Sequence, residues 1–168
     1  MQEVVVKDKT ILNSIEKARE MGKLRNSITG GEGNVAGFIG EFLVNDIIGG
    51  EINNTYEYDI VLPSGTKVDV KTTRTSVTPK EEYECNVSGI NTRQDTDMYV
   101  FVRVISGTYE KGWVLGYMPK KEFFEKANFN KKGTKREGSS FVYKSDTYSM
   151  MIKDLKPIEE LASEGASS

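Results

Sequence analysis

The sequence predicts one α/β domain of the α+β kind, a mixed central sheet flanked by helices, and three observations lead there. Two early stretches, residues 10–22 and 34–47, repeat their apolar residues at helical spacing. From residue 56 the apolar period drops to two, as half-buried strands require. The chain has 168 residues, 37% hydrophobic and 29% charged, which suits one globular unit with a real core. That domain is expected over residues 1–162, with 163–168 (SEGASS) a disordered tail.

In the first helix Thr10 is the expected cap, Gly22 the stop, and Ile11, Leu12, Ile15 and Ala18 the apolar side. The glycine-rich stretch 25–33 reads as a flexible loop. The second helix ends at Gly49-Gly50 and carries Val35, Phe38, Ile39, Phe42, Leu43 and Ile47 as a core stripe. Strands follow at Tyr58–Leu62 and Thr66–Thr72, around a Pro63-Ser64-Gly65 turn, and at Glu84–Ser88. Met98–Ile105 is strongly apolar and belongs at the centre of the sheet, beside Lys111–Tyr117. A short helix, Lys120–Ala127, precedes a basic loop at 130–140. Phe141–Lys144 and Tyr148–Ile152 read as a late hairpin, and Lys156–Ala162 as a last helical turn or two. Trp113, Tyr117, Phe123 and Phe124 fall on these periodicities and are assigned to the core.

Composition excludes several chemistries. There is no histidine, which removes Ser-His-Asp and Cys-His nucleophiles and zinc sites built on histidine. The single Cys85 cannot form an internal disulfide, and its alternating apolar surroundings make it a small buried hydrophobe. No apolar run is long enough to cross a bilayer and the first residues lack a signal-peptide pattern, so a cytoplasmic location is expected. With a net charge of −2, binding to a polyanion must rely on a local basic patch or a metal ion.

The hairpin at 56–73 gathers the candidate chemistry. A three-residue Pro-Ser-Gly loop pairs Leu62 with Thr66, hence Ile60 with Val68 and Asp59 with Asp69. One face then carries Tyr58, Ile60, Leu62, Val68 and Val70, and the other Glu57, Asp59, Asp69, Lys71 and Thr73. Carboxylates directly opposed on a ladder repel one another. Lys71 offsets one charge, and a divalent cation would offset two more; Mg²⁺ favours one or two carboxylates plus water and substrate phosphate. Taken bare, D-x₉-D-x-K reads equally well as a solvated hairpin face. The upstream helix tips the balance. Asn34, Gly37, Glu41 and Asn45 share one line of it, and Gly37 and Gly40 stand just before Glu41. Glycine in a helix costs ~1 kcal/mol relative to alanine, so a close approach of helix to sheet is expected, bringing Glu41 towards Asp59 and Asp69.

The succession N-x-x-G-x-x-G-E on a helix, Y-D-I in a strand and V-D-V-K in the next resembles the PD-(D/E)XK nuclease superfamily over roughly residues 34–105. Two departures are Tyr58 where the family has proline, and aspartate at 69 where glutamate is commoner. The resemblance implies a restriction endonuclease-like fold and a metal-dependent nuclease, with nucleic acid, DNA favoured over RNA, as substrate. It further implies that Asp59, Asp69 and the Val70 carbonyl bind Mg²⁺ or Mn²⁺, that Lys71 is the catalytic lysine, and that Glu41 is the helix acid beside the metal. Products would carry 5′-phosphate and 3′-hydroxyl ends. Endonuclease action is favoured over exonuclease action, and a non-catalytic nucleic-acid-binding or phage accessory protein of the same fold is the alternative. Oligomeric state is open; a homodimer is common among such enzymes, and helix 10–22 offers a surface for one.

Substrate contacts are expected from Arg74, just beyond Lys71, and from the basic loop through Lys131, Lys132, Lys135 and Arg136. If the two acids oppose each other on the ladder, Asp69→Asn should raise metal-free stability by relieving their repulsion.

Overall fold

β6 (Met98–Ile105) runs through the middle of the protein, as its sequence MYVFVRVI requires: a strand apolar on both faces must be covered on both. The computed structural model describes residues 1–24, 34–53 and 55–166. The main sheet has the order β1 (Gln2–Val5), β7 (Lys111–Pro119), β6, β4 (Lys67–Thr75), β3 (Ile60–Val61) and β2 (Glu51–Ile52). β4 and β6 are parallel, from Val68 beside Met98 to Thr75 beside Ile105, and the other neighbours are antiparallel. The chain between those parallel strands leaves the main sheet to form β5 (Glu84–Ser88). That strand joins β9 (Thr147–Met151) and β8 (Asn128–Asn130) in a second, antiparallel sheet of order β5-β9-β8. The helices are α1 (Asp8–Leu24), α2 (Val35–Ile48), α3 (Lys120–Lys126) and α4 (Ile158–Ala166).

Strand alternation sorts the core into two halves. Val68, Val100, Val102, Val104 and Val114 pack with Ala18, Phe38, Ile39, Leu43 and Leu161 of α1, α2 and α4. Tyr99, Phe101, Trp113, Leu115 and Phe123 pack with Cys85, Val87 and Met150 of the second sheet. Helices, main sheet, and second sheet with α3 therefore form three layers, a mixed α+β architecture. Cys85 is a buried free thiol, as expected. Trp113, Tyr117 and Phe123 are buried, and Phe124 packs against the cluster that holds Trp113 and Phe123. Among the described residues, no helix is long and apolar enough to cross a membrane.

Several boundaries differ from the sequence reading. α1 starts at Asp8 and continues past Gly22 to Leu24. Thr10 is therefore inside the helix, where its carbonyl accepts the Ser14 hydroxyl at 2.7 Å and lets that serine be buried. Leu12 is 65% exposed; the inward stripe is Ile11, Ser14, Ile15 and Ala18. The expected loop at 25–33 lies outside the described residues. The late hairpin does not form: β9 pairs with β5 and β8. Residues 141–143 instead fold back on the basic loop, through Arg136 N–H to Phe141 O at 2.8 Å and Tyr143 N–H to Thr134 O at 2.9 Å. The last helix runs to Ala166, into the stretch expected to be a disordered tail.

Candidate functional site

The Pro63-Ser64-Gly65 turn forms as its residues dictate. Gly65 takes φ 88°, a conformation that costs glycine little, and Leu62 N–H donates to Thr66 O at 2.9 Å. The register follows, with Ile60 opposite Val68. One residue earlier the ladder breaks. Asp59 N–H donates at 2.9 Å to Val68 O, the residue already facing Ile60, so two residues of one strand oppose one of the other. This is a β-bulge, and a bulge re-aims the side chain it carries. The direct opposition of Asp59 and Asp69 is therefore corrected. Asp59 lies along the edge of β4 instead, its Oδ2 accepting the Val70 N–H at 2.8 Å.

That edge position lets Asp59 reach both faces of the sheet. On the helix side it lies within hydrogen-bonding reach of Glu41, which is buried on α2. On the other side it meets Asp69, which is 4% exposed. Because N–H and C=O of one strand residue point to the same edge, the Val70 carbonyl also faces the open edge beside Asp59.

Gly40 explains how α2 comes so close. A Cβ there would stand 1.9 Å from Thr72 Oγ1, so only glycine allows this helix to lie on β4. Gly37 has no such neighbour: among the described residues, a Cβ there meets nothing within 4 Å. It lines a cleft of about 270 Å³ together with Asn34, Glu41, Thr55, Tyr56 and Asp59. The two glycines thus have different duties, Gly40 in packing and Gly37 in leaving the cleft open.

Asp69 and Lys71 share one face of β4, at the level of Tyr99 and Phe101 of β6. Lys71 Nζ stands 2.8 Å from Asp69 Oδ2, donates to Gln94 Oε1 at 3.2 Å, and lies 5.7 Å from the centre of the Tyr99 ring. Gln94 was not anticipated. It is 4% exposed, and its amide nitrogen donates to Tyr56 O at 2.7 Å and to Asp69 Oδ1 at 3.4 Å. Its backbone carbonyl accepts the Lys120 ammonium. One amide group thereby ties the acid, the lysine and the chain entering the hairpin. The sequence carries little signal for this, since Gln94 sits in a polar turn with no period to mark it as buried.

The electrostatics follow from crowding. Burial, then the charges of Glu41 and Asp69, push the Asp59 carboxyl from 3.8 up to about 9, against the pull of the Val70 N–H. Burial also raises Asp69, opposed chiefly by Lys71. At neutral pH Asp59 therefore holds a proton. The donor set is hard oxygen throughout, and this chemistry suits a hard divalent cation. The spacing is not that of a preformed cage: among the described residues, no three His, Cys, Asp or Glu side chains stand ready to hold a metal. The acids are drawn onto one another and onto the Val70 N–H instead.

The expected substrate contacts do not join this cluster. Arg74 is exposed and, by alternation from Asp69 and Lys71, projects from the opposite face of β4. Arg136 anchors its own loop: it pairs with Glu84 at 2.8 Å, and the Tyr143 hydroxyl donates to the same carboxylate at 2.9 Å. Its guanidinium also covers the Phe141 ring at 4.2 Å. Lys131, Lys132 and Lys135 are exposed beside the second sheet. The chain matches no family model and no curated protein.

Proposed function

We propose that this protein is a divalent-metal-dependent nuclease of the PD-(D/E)XK type, built on a restriction endonuclease-like fold and acting on DNA as an endonuclease. The observation that carries this reading is the meeting of Glu41, Asp59 and Asp69 at one edge of β4, with Lys71 ion-paired to Asp69. A hairpin that buries acids this closely pays a cost in folding, and cation binding is a reason to retain it.

Asp59, Asp69 and the Val70 carbonyl would hold Mg²⁺ or Mn²⁺, with Glu41 beside them. A bound ion of this kind supplies an activated water and polarises a phosphoryl oxygen. The chain's own residues do the rest. Lys71, held by Asp69 and by Gln94, places a fixed positive charge where negative charge grows on the scissile phosphate. Val70 N–H aims Asp59, and Gln94 orients Lys71 without touching substrate. The missing side chain at Gly37 leaves room at the cleft mouth for a phosphate. Cleavage would leave 5′-phosphate and 3′-hydroxyl ends.

The test is nicking of supercoiled plasmid in Mg²⁺, Mn²⁺ or EDTA. Metal-dependent nicking lost in Lys71→Ala and Asp69→Asn supports the reading. Binding without cleavage in any metal would make the chain a nucleic-acid-binding module, and cleavage that survives both substitutions would remove these residues from the chemistry.

A further inference from the structure

The second sheet carries a groove that the acid cluster does not use. It encloses about 440 Å³ between the turn at 89–92 and strands β8 and β9. Phe129 is 55% exposed on one side of it, and Ile90 is 78% exposed. Phe129 and Tyr148 are cross-strand partners, their rings 5.2 Å apart and tilted by 56°. Lys132 and Lys144 line the same groove. One carboxylate, Asp146, also lines the groove, its Oδ1 accepting the Lys132 backbone N–H at 2.9 Å, so two ammonium groups stand against one carboxylate.

Phe129 and Ile90 together leave an apolar patch that a flat apolar group would cover, and the excess of ammonium groups over carboxylate beside it favours an anionic ligand. A base on a phosphate backbone has both properties, and its face is available only when unpaired, because a duplex hides it in the stack. The groove also lies on the same side of the main sheet as Asp69 and Lys71. Between the two places lie packed rings of the core: Tyr148 to Phe124 at 5.0 Å, Phe124 to the buried Tyr99 at 6.0 Å, and Lys71 Nζ over Tyr99 at 5.7 Å.

We infer that this groove binds single-stranded nucleic acid, with a base stacked on Phe129 and packed against Ile90 and phosphates on Lys132 and Lys144. Resting on the nuclease reading above, the substrate is then DNA with an unpaired stretch. The groove itself stands without that reading.

The experiment is fluorescence anisotropy with a labelled oligothymidylate about 12 nucleotides long, against a duplex of equal length, in EDTA so that no cleavage intervenes. The single strand is expected to bind at least about tenfold more tightly than the duplex, with Phe129→Ala weakening it about five- to tenfold. Phe129→Trp keeps the affinity, which separates stacking from a folding defect. Lys132→Ala with Lys144→Ala weakens binding and flattens its salt dependence. Equal affinity for strand and duplex, or no effect of Phe129→Ala, overturns the groove. The plasmid assay reads the other half: Phe129-dependent strand binding without metal-dependent cleavage overturns the nuclease and keeps the groove. Cleavage with Phe129-independent strand binding overturns the groove alone.

Discussion

Asp59 Oδ2 accepts the Val70 N–H at 2.8 Å, just past the point where the β3–β4 ladder ends at Ile60. The carboxylate takes the place of the missing strand: it caps the next free donor of β4 and is held between Glu41 and Asp69. A pH dependence follows. In the unfolded chain Asp59 has its ordinary value of 3.8, and in the folded chain about 9. Between the two the folded state holds the extra proton, so stability falls as pH rises through that window. Thermal melts in EDTA should show a falling melting temperature from about pH 5 to pH 9. A rising or flat profile would contradict the crowding of acids described here.

Asp59→Asn and Asp69→Asn should differ in sign. At position 59 asparagine mimics the protonated acid, keeps an acceptor for the Val70 N–H and offers a donor to Glu41. Metal-free stability above neutral pH should therefore rise and its pH dependence flatten. At position 69 the substitution leaves the Lys71 ammonium, whose side chain is only 19% exposed, without its charge partner. A loss of about 1–3 kcal/mol is expected. The sequence alone assigned the gain to Asp69→Asn; the ion pair reverses it. Denaturant titration of both variants in EDTA measures the difference.

The two helix glycines should separate as cleanly. Gly40→Ala drives a methyl into Thr72 and should cost about 1–3 kcal/mol. Gly37→Ala meets nothing among the described residues, so helix propensity should raise stability by up to ~1 kcal/mol. The same methyl enters the cleft beside Glu41 and Asp59, and activity should fall while the melting temperature rises.

Gln94→Ala should leave the fold intact and lower metal-dependent cleavage about 10–100-fold, the usual effect of losing a group that orients the residues at a metal. Lys71 then loses its second anchor, and kcat should fall more than KM rises. A change confined to KM would place Gln94 in substrate binding instead.

Local rules made much of this legible. Pro63-Ser64-Gly65 set the register of Ile60 on Val68, the apolar run at 98–105 found the central strand, and Gly40, though not Gly37, marked the contact of α2 with the sheet. What stayed hidden depends on partners far along the chain. The bulge at Asp59 is one, because a period of two assumes an unbroken ladder. Gln94 is another, buried by a contact with Asp69 across 25 residues. Arg136 read as a free cation until Glu84, 52 positions earlier, was placed beside it. The second sheet was missed for the same reason: β9 reads locally as half of a hairpin, and its partners are β5 and β8.

Calorimetric titration of the protein with Mn²⁺ at pH 7, repeated in buffers of different ionisation enthalpy, reads the cation and the proton together. The expected result is saturable binding that releases about one proton and is lost in Asp69→Asn, because Asp59 must ionise as the ion enters. Heats of dilution alone, or binding unchanged in Asp69→Asn, would contradict a metal site at the edge of β4.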